Sequence, residues 1–165
     1  MKILIAGSHG MIGSVVTRHL IECGYEVVRL VRSTPGPGDI WWDPDGGRLD
    51  SSSLEGFDGA VNLATMRWPF RWTRNAKTKL RANRVATYRL LAESLAACVR
   101  KPRVLVCASG IGVYPSSGDE ILTEDTLPCS SFLSTVDRDG ETATAAAEAA
   151  GIRVVHLRIP QVIGG

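Results

Sequence analysis

The chain has 165 residues, 44% of them apolar and 22% charged, with a formal net charge of +2 at pH 7. A length of this order suits one domain with its own core, and the composition excludes disordered, collagen-like and disulfide-dense chains. No 18-residue apolar run and no signal-peptide pattern occurs, which predicts a cytoplasmic protein without membrane contact.

Lys2–Ala6 (KILIA) is a short apolar run of the kind that fills a strand buried on both faces. Met11–Cys23 follows with Ile12, Val15, Val16, Leu20 and Cys23 at helical spacing, and Gly24 stops it. Glu26–Val31 reads as a second strand, after which STPGPG breaks all regular structure. Residues 39–54 are turn-rich around the pair Trp41–Trp42, and Ala60–Ala64 (AVNLA) is the third strand. A long helix is predicted from Thr73 to about Arg100, its inner face carrying Ala76, Leu80, Asn83, Thr87, Leu91, Leu95 and Cys98. Arg103–Ala108 is a fourth strand, residues 109–130 form a loop, and an alanine-rich helix over roughly 131–150 leads into a fifth strand, Arg153–Arg158.

Strands alternating with helices imply parallel βαβ units wound with right-handed crossovers. The expected architecture is an α/β, Rossmann-type doubly wound parallel sheet of order 3-2-1-4-5, flanked by helices. The second-to-third connection is too turn-rich for a full helix. The four cysteines form no CxxC pair and suggest no close histidine partner, so buried free thiols are expected rather than zinc or disulfides.

Gly7, Gly10 and Gly13 lie between the first strand and the first helix, the context in which such a string grips a dinucleotide. Gly7 makes the tight turn, Gly10 lets a pyrophosphate approach the backbone, and Gly13 permits close helix–sheet packing. The helix-start amides then face the phosphates. After the second strand comes Val31-Arg32-Ser33, with no acid before Asp39. An acid there would accept from a ribose 2′-hydroxyl, whereas the Arg32 guanidinium pairs with a 2′-phosphate. The pattern favours NADP(H) over NAD(H); a plain surface arginine is the competing role.

This spacing resembles the extended short-chain dehydrogenase/reductase superfamily, which includes NAD(P)-dependent sugar epimerases and dehydratases. RSTPGPGDIWWDP (Arg32–Pro44), AVNLA, RVATYRLL (Arg84–Leu91), LTEDTLP (Leu122–Pro128), RDGE (Arg138–Glu141) and LRIPQVIGG (Leu157–Gly165) are similar to an atypical, nucleoside-diphosphate-sugar-epimerase-like branch. The resemblance implies Gly7, Gly10, Met11, Ile12 and Gly13 at the pyrophosphate, Arg32 at the 2′-phosphate, Leu63 and Ala64 beside the adenosine end, Arg84 at a basic position on the long helix, and Val162 near the nicotinamide. His9 stands where the family more often has Ser or Thr, with its side chain expected to face outward.

Members of the wider superfamily use a Ser or Thr, a Tyr, and a Lys four residues after that Tyr. Ser109 matches the Ser, but alignment on RDGE puts Val136 and Gly140 at the Tyr and Lys positions, and neither moves a proton. Tyr114 is the candidate replacement, with packing of the loop as its competing role. Asp137 and Asp139 read as solvated helix residues and His156 as a core histidine. Thr65 and Met66 follow AVNLA where the branch usually has Gly-Glu. The resemblance also implies a smaller C-terminal part that closes over the nicotinamide; the sequence stops at Gly165, as a fragment of a longer protein or as a short gene product, and residues 1–165 are expected to form one cofactor-binding domain.

Eight of the 19 basic residues and none of the 17 acids lie between Arg67 and Arg89, interleaved with Trp68, Phe70 and Trp72. Arg74, Lys77, Arg81 and Arg84 recur on one helix face, read as charge that favours the cofactor's phosphates rather than nucleic acid. The expected function is an NADP(H)-binding epimerase/oxidoreductase-like domain for a carbonyl or nucleotide-sugar small molecule. The alternative is a non-catalytic NADP(H) sensor or scaffold module; a homo-oligomer is compatible with either.

Overall fold

The computed structural model describes residues 1–66 and 70–163. In chain order the elements are β1 (Lys2–Ala6), α1 (Met11–Glu22), β2 (Glu26–Val31), β3 (Ile40–Trp41), β4 (Gly59–Asn62), α2 (Arg74–Ala97), β5 (Val104–Gly110), α3 (Phe132–Thr142), α4 (Ala145–Ala149) and β6 (Arg153–Ile159). The strands form one sheet of order β3-β2-β1-β4-β5-β6, and every pairing between neighbouring strands is parallel. The Rossmann-type doubly wound parallel sheet expected from the sequence holds, with one strand more than expected: the short β3 takes the outer place beside β2. The turn-rich stretch after β2 contributes the two-residue β3, so the run beginning at Ala60 counts fourth and pairs with β1.

Alternation along the strands divides the sheet into two faces. Leu4, Ala6, Val28, Leu30, Ala60, Leu105 and Cys107 share one face and pack in one core cluster with Tyr88, Leu91, Leu95 and Ala147 from α2 and α4. Trp42, only 1% exposed, joins that cluster from just beyond β3. Full burial of leucines such as Leu91 and Leu95 contributes about 1.5–3 kcal/mol each. The opposite face is covered at β1 and β2 by α1. Farther along that face, Val104, Val106 and Val155 are half-buried and Leu157 is 46% exposed.

Helices α2 and α3 start where the sequence supplies a capping side chain. Thr73 Oγ1 accepts from Ala76 N at the head of α2, and Ser131 Oγ accepts from Ser134 N at the head of α3. Three expectations are corrected. The helix predicted over 131–150 is two helices, because Thr144 turns its hydroxyl onto the Glu141 carbonyl (2.7 Å) and onto His156 Nε2 (3.1 Å). Asp137 is buried, not solvated, because α3 turns it toward β5 and Arg84. Of the four cysteines, Cys98 and Cys107 are buried but Cys23 is exposed; it caps α1 at the solvent end, with Sγ 3.7 Å from His19 Nε2.

Candidate functional site

All six strands run parallel, so their carboxyl ends share one edge, the usual ligand edge of such sheets. Gly7 follows β1, Arg32 follows β2, Leu63 and Ala64 follow β4, Ser109 and Gly110 end β5, and Val162 lies beyond β6. Residues assigned from distant stretches of sequence thus meet along one crest. Met11 is 56% exposed and Val162 43% exposed.

Two of the three glycines are dictated by the fold's own packing. Gly7 adopts φ +83°, and a Cβ there would come within 2.6 Å of the Leu63 carbonyl. A Cβ on Gly13 would overlap the Gly7 carbonyl oxygen, so strand, turn and helix can meet this closely only without one. The turn also touches β4's extension, where Leu63 N donates to Ala6 O and Ala64 N to Asn62 Oδ1. Gly10 differs. It has φ −73°, is exposed, and a Cβ there would meet only the Gly7 oxygen, at 3.3 Å. The protein's interior hardly requires a glycine at this point, so what its missing Cβ opens is the solvent side. Gly10 caps α1 without a side-chain acceptor, and no acid lies in the first turn. The amides of Met11, Ile12 and Gly13 are left for an outside anion, the donor set a pyrophosphate needs.

At the end of β2, Arg32 is exposed. Asp39, the first acid after it, is tied back into the fold. Its carboxylate accepts from Arg29 Nε (2.7 Å), Arg29 Nη2 (2.9 Å) and Gly36 N (3.1 Å). Burial opposes its ionisation, but these bonds outweigh burial and hold its pKa below the ordinary value.

The ends of β5 and β6 hold a second cluster. Ser109 Oγ donates to Glu141 Oε1 at 2.6 Å, and Arg158 donates to both oxygens of that carboxylate through Nε (3.1 Å) and Nη2 (3.0 Å). Arg158 Nη1 also donates to Tyr114 Oη at 2.9 Å, with the guanidinium 5.1 Å from the ring centre. Burial works against the Glu141 charge, yet the bonds from Arg158 and Ser109 prevail and lower its pKa. The same pairing raises that of Arg158. Ser109 and Tyr114, which stand in one stretch of sequence (SGIGVYP), are therefore joined through Glu141 and Arg158.

Arg84 lies behind this cluster. Its Nη1 donates to Ala108 O (3.1 Å) and Tyr88 Oη (2.7 Å), and Nη2 is 3.6 Å from Asp137 Oδ1. Burial raises the Asp137 pKa against the pull of Arg84, and pushes the Tyr88 phenol up to about 12. Asp137 Oδ2 also blocks the space a Gly110 side chain would need. Glu141 and Arg158 lie within the motifs RDGE and LRIPQVIGG but had no role assigned, and Asp137 and the Arg29–Asp39 pair carried no local signal; only strand register and helix packing bring these side chains to the edge.

Of the basic helix face, Arg84 reaches the crest, where it donates to Ala108 O, and the others turn away from it. Arg74, Lys77, Arg81 and Arg89 line a groove between α2 and α3–α4 that includes no glycine-loop residue. Arg81 is paired with Asp139, and Lys77 lies 5.2 Å from the Phe132 ring centre. Trp72 stacks edge-on against Phe132, Phe70 is 97% exposed, and Arg67 and Trp68 fall outside the described residues. No helix among the described residues is long and apolar enough to cross a membrane.

Among known proteins, an epimerase family protein of Mycobacterium leprae is 32% identical over 163 residues, covering 98% of this chain and 52% of its own length. Human epimerase family protein SDR39U1 is 35% identical over 120 residues, covering 71% of this chain and 39% of its own. A crystal structure of a nucleoside-diphosphate sugar epimerase from Corynebacterium glutamicum superposes with a TM-score of 0.83 at 38% identity, over 96% of this chain and 33% of that one. Human SDR39U1 crystallised with NADPH gives 0.73 at 28% identity, over 96% and 53%. The chain thus spans about half the length of the bacterial relatives it matches. The profile of the NAD dependent epimerase/dehydratase family matches residues 3–165, and the chain belongs to that family.

Proposed function

We propose that this chain binds NADP(H) across the carboxyl edge of its sheet and presents the nicotinamide to a carbonyl or nucleotide-sugar substrate. The observation that carries the reading is the pairing of an open glycine turn with a cation-only end of β2. Gly10 leaves backbone space that packing does not use, and Asp39 is consumed by Arg29. Arg32 then offers a guanidinium where a 2′-phosphate would be neutralised and a free carboxylate would repel it. That human SDR39U1 was crystallised with NADPH supports the choice of cofactor. Gly7, Gly10, Met11, Ile12 and Gly13 would hold the pyrophosphate, Leu63 and Ala64 the adenosine side, and Val162 the nicotinamide side, with residues 1–165 acting as one cofactor-binding domain. Bound there, the nicotinamide supplies hydride donor and acceptor chemistry.

For proton movement the available hydroxyls are Ser109 and Tyr114. Ser109 spends its proton on Glu141 and keeps oxygen lone pairs for a substrate hydroxyl. Tyr114 Oη accepts from Arg158, so its own proton remains to be donated to a substrate oxygen. A second reading, a binding module without turnover, is favoured by one specific observation: the usual Tyr and Lys positions are Val136, which is buried, and Gly140.

Calorimetric titration tests the cofactor. The unmodified chain should bind NADPH more tightly than NADH, and Arg32→Asp should weaken NADPH by about tenfold or more while changing NADH little. Equal losses for both cofactors would remove the 2′-phosphate role. Binding without turnover on a carbonyl and nucleotide-sugar panel, in a protein of the relatives' full length, would select the binding module.

A further inference from the structure

His9 is the side chain of the glycine turn that the packing of the turn leaves unexplained. Gly7 and Gly13 are fixed by close contacts and Ser8 is buried, but His9 is exposed. Its Nδ1 lies 3.4 Å from Ser8 Oγ, and among the described residues its Nε2 has no hydrogen-bonding partner.

The ring lies on the β2 side of the turn. His9, Ser8 and Arg29 line one cavity, and the charge of His9 acts on Asp39 in the loop after β2. Ala6 pairs with Leu30, so the chains leading to His9 and to Arg32 rise from adjacent strands at the same height. The charged groups that share the cavity with the ring or act on it are Arg29 from β2, Asp39 from the following loop, and Arg18 and Glu22 from α1; Arg32 follows directly on the end of β2. Asp39 is already engaged by Arg29 and by Gly36 N. Between the turn and the end of β2 the cations are Arg29, tied to Asp39, and Arg32, while Glu22 stands on the α1 side of the cavity.

We propose that His9 is a second cationic ligand of the cofactor's 2′-phosphate beside Arg32, so that the preference for NADPH over NADH depends on pH. The inference rests on the reading that Arg32 meets that phosphate. Arginine keeps its charge throughout, whereas histidine is the side chain that gains and loses a proton between about pH 5 and 8. Protonated, His9 adds a charge-assisted bond to the phosphate; neutral, it retains a hydrogen bond alone. The preference for NADPH therefore falls as pH rises. The second ionisation of the 2′-phosphate acts in the opposite sense, but it is common to every variant and cancels in the comparison with His9→Ala.

The test is the ratio of the NADH and NADPH dissociation constants, measured by calorimetry on the 165-residue chain at pH 5.5 and pH 8, for the unmodified protein, His9→Ala, His9→Arg and Arg32→Asp. Circular dichroism checks the fold of each variant. Relative to His9→Ala, the unmodified chain should show a ratio about tenfold higher at pH 5.5 and within about twofold at pH 8. His9→Arg should keep the higher ratio at both values. If the ratio collapses in Arg32→Asp but the His9 variants track the unmodified chain, the role of His9 is overturned and that of Arg32 stands. If Arg32→Asp leaves the ratio unchanged, or neither cofactor binds, the parent reading fails and this one with it.

Discussion

Glu141 accepts from Ser109 and from two nitrogens of Arg158, and Arg158 in turn holds Tyr114. The Glu141 and Arg158 side chains are 15% and 24% exposed, so removing one charge strands the other in a poorly solvated place. Glu141→Ala should cost about 3 kcal/mol in urea denaturation at pH 7, the lower end for a broken buried pair. Glu141→Gln, which keeps the shape and one acceptor, should cost less. The pKa of Glu141 is depressed in the fold, so its contribution is complete above the ordinary carboxylate range and is lost as pH falls through the lower folded value. The stability of the unmodified chain should therefore drop more steeply between about pH 5 and pH 3 than that of Glu141→Gln; parallel curves would show that this pair does not set acid sensitivity. The glycine turn was legible in the sequence because its three glycines lie within seven consecutive residues, Gly7 to Gly13. The Glu141 cluster was not, because Ser109 and Glu141 are 32 positions apart and Tyr114 and Arg158 are 44 apart.

The division of α3 from α4 shows how a buried polar residue overrides helix propensity. Residues 143–150 are mostly alanine, the best helix former, and on propensity alone the helix runs on to Gly151. Thr144 is fully buried, and its hydroxyl bridges the Glu141 carbonyl and His156 Nε2 on β6, which fixes the break where the two elements pack. Propensity reads only the helix; the decisive partner sits 12 residues on, in another element. The two-residue β3 was missed for a related reason, since Ile40 and Trp41 form a strand only by pairing with Leu30 and Val31. Longer apolar runs such as Lys2–Ala6 and Arg153–Arg158 declared themselves without such help. Burial lowers the pKa of His156 against the pull of Glu141 and Glu148, so the ring is carried neutral, with Thr144 as its partner. Thr144→Ala should leave Nε2 unpaired and cost about 1–3 kcal/mol in urea denaturation. Thr144→Ser, which keeps the hydroxyl, should recover most of that loss; an equal loss in both would assign the effect to the methyl group instead.

The whole sheet is covered unevenly, and that has consequences for how the molecule behaves in solution. Helices α2, α3 and α4 serve one face across β1, β4, β5 and β6, while α1 serves the other face only at β1 and β2. Beyond α1, that second face carries half-buried Val104, Val106 and Val155 and, on the edge strand, the partly exposed Leu157. β6 is seven residues long, pairs only with β5 among the described strands, and contains neither proline nor lysine to discourage pairing with another chain. An apolar face that continues onto an unpaired edge favours association, since strand addition and side-chain burial then occur together. The 165-residue chain should therefore self-associate reversibly at tens of micromolar, seen as a concentration-dependent rise in sedimentation coefficient. Leu157→Lys places a charge on that surface, at the edge strand, while leaving the α2 side intact. Losing the burial of one leucine, about 1.5–3 kcal/mol, should weaken association by roughly tenfold or more without lowering thermal stability. A substitution on the far surface, Glu93→Lys, should leave association unchanged, because α2 lies on the other side of the sheet. If Leu157→Lys sediments like the unmodified chain, the edge of β6 is not where copies meet; a monomer at every concentration would show that the half-buried valines are covered well enough by their own neighbours.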